Sequence, residues 1–162
     1  ARIGMQPIGD TSTTQNHPLG TIVRARDVGV TAYGEGEFIY LLGVGSTVAG
    51  LIATWNATTY QTTLLASGAN LDISIGWAQS ANVASQYGWY QIGGMVSALK
   101  TAVAVSPQVS VFLSTTTGRV RVIASAGRQL LNCKSANLTS VTTTTSGVTL
   151  QINRPFMQGQ IT

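Results

Sequence analysis

From residue 21 onward, apolar and polar positions alternate in short runs spaced about ten residues apart. Leu71, Ile73 and Ile75 alternate with Asp72, Ser74 and Gly76, and Val109, Val111 and Leu113 with Ser110 and Ser114. Val120 and Val122 alternate with Arg119, Arg121 and Ile123, and Val148, Leu150 and Ile152 with Thr149, Gln151 and Asn153. A period of two places alternate side chains on opposite faces of a strand, so these runs predict half-buried β-strands. Residues 22–26 alternate in part. Residues 37–42 form a short apolar run with aromatic content, which predicts a strand buried on both faces. Residues 51–56 and 60–66 flank a polar turn at 57–59. Only residues 80–86 suggest a turn of helix, and the glycines from 43 to 94 oppose any longer one. The four threonines at 142–145 are β-branched and predict an exposed strand or hairpin arm. The whole pattern predicts an all-β fold, a jelly-roll-like sandwich or barrel.

Residues 1–20 lack this period. Their Pro, Asp, Asn and Ser content is turn chemistry. We read them as an extended N-terminal arm ahead of a single β-domain at 21–162. Ile3, Met5, Ile8 and Leu19 give the arm apolar anchors. With no period of its own, the arm is expected to be mobile alone and ordered against a neighbouring subunit.

Composition changes the picture in one respect. Hydrophobic residues make up 44% of the chain and charged residues only 9%, far below the roughly 25% charged of an average soluble domain. The surface must therefore be Ser, Thr, Asn, Gln and Gly. Such a surface suits a protein that lives in an assembly, where charge is costly to desolvate; a secreted β-domain is the alternative. The net charge of +4 is spread thinly. Arg24/Arg26 and Arg119/Arg121 are each spaced by two, which puts each pair on one strand face. They are candidate docking residues for an acidic protein surface, or simply solvated strand faces. No basic run suggests direct nucleic-acid binding. Cys133 is alone, so an intrachain disulfide or a Cys-x-x-Cys metal site is ruled out by count. No apolar run is long enough to span a bilayer as a helix, and no secretory leader opens the sequence given. A soluble protein made in the cytoplasm is expected. The glycosylation-type triplets at Asn56 and Asn137 arise easily by chance in a Thr-rich chain.

Residues able to run chemistry are few. His17 is the only histidine and stands beside Pro18 with no nucleophile elbow in the chain. Glu35 and Glu37 are the only close carboxylate pair, at a strand start where carboxylates are usually solvated. The glycine clusters at 34–36 and 43–45 lack the phosphate-loop lysine. No catalytic residue, metal site or cofactor is expected. Tyr87, Trp89 and Tyr90 crowd four positions, with Trp55 and Trp77 on neighbouring predicted strands. On a strand Tyr87 and Trp89 share one face and Tyr90 takes the other. Core packing is the plain reading; interface anchors or a carbohydrate platform are the functional ones.

Four segments, in order, carry a resemblance. Residues 17–25 read His-Pro-Leu-Gly-Thr-Ile-Val-Arg-Ala, and 33–41 read Tyr-Gly-Glu-Gly-Glu-Phe-Ile-Tyr-Leu. Residues 85–92 read Ser-Gln-Tyr-Gly-Trp-Tyr-Gln-Ile, and 153–156 read Asn-Arg-Pro-Phe. Together the chain resembles the small capsid cement (decoration) proteins of tailed bacteriophages, over most of residues 17–157. The resemblance implies a jelly-roll-like domain on the outer surface of the virion head, made in the bacterial host. It would bridge major capsid subunits, without catalytic residues, and associate with copies of itself as a dimer or trimer. Candidate capsid contacts are Arg2, Ile3, Met5, Ile8, Arg24, Arg26, Arg119 and Arg121. The rival reading is a carbohydrate- or receptor-binding head-fibre or tail module, with Tyr87, Trp89 and Tyr90 exposed.

Overall fold

A computed structural model describes residues 4–26 and 34–160. Among the described residues ten strands follow in chain order: β1 (Ile22–Arg26), β2 (Glu35–Leu42), β3 (Ile52–Trp55), β4 (Thr62–Leu64) and β5 (Gly76–Ala78), then β6 (Tyr87–Leu99), β7 (Ser110–Leu113), β8 (Val120–Arg121), β9 (Gln129–Ser135) and β10 (Gly147–Met157). No described residue is helical, so 80–86 is turn and coil. The strands make one antiparallel sheet in the order β4-β3-β5-β6-β10-β9-β7-β8, with β2 on β6 and β1 on β2. The sheet curls on itself as an open half-barrel.

β6 is the hub. Its first half pairs with β2 and, through Tyr90 and Gln91, with β5; its second half pairs with β10. Between the halves the register with β2 slips, so that Glu37 opposes Gly93 while Phe38 opposes Gln91. This is a β-bulge at Ile92, which bends a strand and redirects its pairing. Gly94 lies at φ +94°, and a Cβ there would meet the Glu35 carbonyl oxygen at 2.8 Å. Only glycine fits both the dihedral and the approach. The buried Gln91 side chain holds the bend, donating to the carbonyls of Gly93 (2.9 Å) and Met95 (2.8 Å).

Burial follows the two-residue period. Inside the curl, Ile52, Trp77, Val96, Val111, Leu113, Leu130 and Leu150 are central to the largest apolar cluster. β2 is buried on both faces, as its unbroken apolar run predicts. Ile39 and Leu41 pack with Tyr90 and Ile92, whereas Phe38 and Tyr40 pack with Trp89.

Two segments depart from the pattern. Residues 71–75 alternate in burial, yet only Ser74 forms a bridge, to Phe156. Asp72 sits at φ 47°, a left-handed kink that breaks an extended run. The threonines at 142–145 form a turn rather than a strand or hairpin arm. The Thr142 carbonyl is taken by the Lys100 ammonium (2.9 Å), and the Thr142 hydroxyl bonds those of Thr144 and Thr145. Both triplets of glycosylation type are turn-builders: the Asn56 side chain accepts from the amides of Thr58 and Thr59, and Asn137 donates to Val105 and Thr139.

Gly94→Ala is expected to lower stability by about 2 kcal/mol or more, because it adds backbone strain to an atomic clash. Urea unfolding checks this; a midpoint equal to that of the parent chain would remove Gly94 from the account of the bend.

Candidate functional site

The segment expected to be an arm lies against its own domain. Residues 4–20 carry no strand, but Ser12 and Tyr87 exchange backbone hydrogen bonds (3.1 and 2.8 Å) at the start of β6. Gln6 fixes the rest. Its amide donates to His17 Nε2 (3.0 Å), and its carbonyl accepts from Trp89 Nε1 (3.0 Å). Its side-chain nitrogen donates to the carbonyls of Asp10 (2.8 Å) and Tyr87 (3.0 Å). Its side-chain oxygen accepts from the Tyr40 hydroxyl (2.8 Å) and Asn16 Nδ2 (2.9 Å). Met5, Ile8 and Leu19 pack on the Phe38–Tyr40–Trp89 cluster, with the His17 ring edge-on to Tyr40 at 5.1 Å. A segment with no period of its own is ordered here because one fully satisfied buried amide, three apolar side chains and the His17 ring join it to the sheet. Met5 and Ile8 are used within the chain; Arg2 and Ile3 lie outside the described residues.

The aromatic residues are interior. Trp77, Trp89 and Tyr90 are fully buried, and Trp55 and Tyr87 are half-buried. Tyr87 and Trp89 do share one face and Tyr90 the other.

The arginine pairs sit in unlike surroundings. Arg24 opposes Glu37 and Arg26 opposes Glu35 across β1 and β2. Glu37 also receives Arg154, whose Nη2 and Nε lie 2.9 and 3.2 Å from Oε2. Arg154 occupies a left-handed position (φ 44°) in the β10 bulge between Ile152 and Phe156, and the bulge re-aims its side chain onto Glu37. A shallow groove of about 390 Å³ opens beside this cluster, lined by Arg24, Glu35, Glu37, Gly94 and Asn153 among others. The other pair has no carboxylate in its part of the chain. All five acids lie within residues 10–72, while residues 73–162 carry six cations and no acid. Arg119 donates from Nη1 to the Lys100 carbonyl (3.0 Å), and half-buried Arg121 keeps a buried Nε with no partner among the described residues. Lys100 is 1% exposed, and its ammonium donates to the carbonyls of Val103 (2.8 Å), Thr142 (2.9 Å) and, more loosely, Thr101 (3.4 Å). Backbone dipoles stand in for the missing counter-ion.

Sequence reasoning missed Gln6, Lys100 and the Glu37–Arg154 pair. The uneven placement of the acids along the chain was the one available signal for the cationic half.

No protein-family model, curated protein or solved structure matches this chain.

Gln6→Ala removes four side-chain hydrogen bonds and leaves the buried Tyr40 hydroxyl without its acceptor. The cost is expected to be about 1–3 kcal/mol, concentrated in residues 4–20. Faster proteolysis within 7–16 and a red shift of tryptophan emission would register it; unchanged proteolysis would show that the apolar contacts suffice.

Burial also sets an alkaline limit. It pushes the Cys133 thiol from 9.0 up to about 12. It raises the Tyr90 and Tyr40 hydroxyls, with hydrogen bonds from Thr62, Asn82 and Thr47 to Tyr90 and from the Asn16 backbone to Tyr40 offsetting part of the effect. Each group holds its proton more tightly when folded. Its stabilising contribution is complete below the unfolded value and is lost as pH rises through the folded one. Burial lowers Lys100, which gives the opposite slope below its ordinary value. With three groups against one, stability should fall from about pH 9 toward 12, and Cys133→Ala should remove the earliest part of the fall. Urea midpoints across that range check it.

Proposed function

We propose that this chain is a structural cement protein of a tailed-phage head, binding the outer surface of the assembled shell and bridging major capsid subunits. One observation carries the reading. The four segments that bear the resemblance are distant in sequence but form one spatial unit. Residues 17–25 lead into and form most of β1, 34–41 hold β2, 85–92 open β6, and 153–156 are the β10 bulge. His17 meets Tyr40 and Trp89, and Arg154 meets Glu37. The resemblance therefore follows a connected substructure, the β1–β2–β6–β10 layer with its N-terminal cover.

A rigid β-domain with a neutral, hydroxyl-rich surface and a cationic half suits docking on acidic protein surface. The finer reading of the fold as a jelly roll, and association as a dimer or trimer on the head, belong to this proposal. The carbohydrate-binding rival calls for Tyr87, Trp89 and Tyr90 as exposed rings; Trp89 and Tyr90 are buried and Tyr87 is half-buried, which favours the cement reading. The mechanism is linkage. Protein that binds only the assembled lattice shifts the disassembly equilibrium toward the shell, and several modest contacts made at once sum to high avidity.

Particles lacking the protein should still assemble but release their genome at lower temperature or weaker osmotic shock. Adding back purified protein should restore resistance saturably, and high salt should weaken rebinding. Arg119→Ala/Arg121→Ala should reduce rebinding. Equal thermal rupture of bare and decorated particles would sink the proposal.

A further inference from the structure

We propose that the outer edge of β1 is a strand-addition site for a partner segment with acidic side chains at alternate positions. Among the described residues β1 pairs only with β2, so its second edge offers backbone donors and acceptors that no other described strand takes up, the template for adding a strand. The register then dictates what the added strand must carry. Ile22, Arg24 and Arg26 share one face of the sheet with their partners Ile39, Glu37 and Glu35. Across that face one row reads Arg154, Glu37, Arg24 in alternating sign, with Arg154 at 2.9 Å and Arg24 at 3.8 Å from the Glu37 carboxylate. The next row reads Glu35, Arg26. Both rows end at the open edge on an arginine. Side chains of an added strand would stand about 5 Å from these. A carboxylate there continues each alternation, and a cation breaks it.

The arginines have capacity to spare. Arg24 is 79% exposed, and its contact with Glu37 is long. Arg26 is exposed and forms no ion pair with a described residue. Ile22, the third outward side chain, is 45% exposed and calls for an apolar neighbour. An antiparallel partner therefore reads acid-x-acid-x-apolar. A second copy of β1 does not qualify, because full antiparallel overlap sets Arg24 opposite Arg24, and like charges directly opposite repel. The occupant is a segment of a different protein. This deepens the docking role proposed above for Arg24 and Arg26 and rests on that reading only for the partner's identity, since the chemistry follows from the edge itself.

The experiment uses the full chain and no capsid, so its failure and that of the cement reading are separable. The probe is an acetylated peptide, Thr-Glu-Thr-Glu-Thr-Val-Thr, at millimolar concentration, against a counterpart with Lys in place of Glu. Backbone amide exchange is read residue by residue. The acidic peptide should slow exchange at residues 22–26 severalfold, and the Lys peptide should not. Arg24→Gln/Arg26→Gln should lose the effect while keeping the parent circular dichroism. Arg24→Glu/Arg26→Glu should transfer the preference to the Lys peptide. Protection by both peptides alike, protection confined to other strands, or none at all would overturn the proposal.

Discussion

β6 serves β2, β5 and β10 because its backbone turns at Gly93–Gly94, and the rest of the molecule is arranged around that turn. Gly93 opposes Glu37 of β2 on one side and Asn153 of β10 on the other, so the two pairings overlap at the turn. The bulge at Ile92, the left-handed Gly94 and the Gln91 side chain make the change of partner possible without leaving buried carbonyls unpaired. The bend also gives the sheet its curl, and so creates the enclosed cluster around Trp77, Val111 and Leu150.

A chain with few charges must satisfy its buried backbone by other means. Three long polar side chains do so at separate places: Gln6 under the N-terminal segment, Gln91 at the bend, and Lys100 between two loops. Each reaches carbonyl groups that lie outside the regular ladder. Removing any of them strands several polar groups at once, which costs more than the single bond a surface residue would lose. Some threonine hydroxyls bond locally in turns, as at Thr21, Thr47 and Thr142, while those of Thr54, Thr62 and Thr101 reach carbonyls on neighbouring strands or loops.

The five acids are few and lie within residues 10–72. Glu35 and Glu37 are matched by Arg24, Arg26 and Arg154 within one cross-strand array, while Lys100, Arg119, Arg121, Arg128 and Lys134 have no acid in their half of the chain. The protein therefore carries a nearly balanced charged array across β1, β2 and β10 and an excess of cations, Lys100 among them buried, in the rest of its C-terminal half.

The all-β class, the places of β1–β4, β7, β8 and the first part of β10, the two-sided burial of β2 and the facing of Tyr87, Trp89 and Tyr90 were legible in the sequence from local patterning, whereas β5 and residues 93–99 of β6 lack a clean alternation and were not predicted. Nor was strand β9, since Asn132 at φ 56° breaks its alternation. The threonine turn at 142–145 was misread because its shape is set by an ammonium 42 residues away. Residues 4–20 look like a free arm in sequence for the same reason: the groups that hold Gln6 come from positions 10, 16, 17, 40, 87 and 89. Arg24 and Arg26 were recognisable as a pair sharing a face, but not as the end of a charge array, because Arg154 reaches Glu37 only across 117 residues of chain. Periodicity reports what each residue does relative to its neighbours in sequence. Which buried polar group meets which, and which edge is left open, is decided when the sheet bends and distant strands come into register.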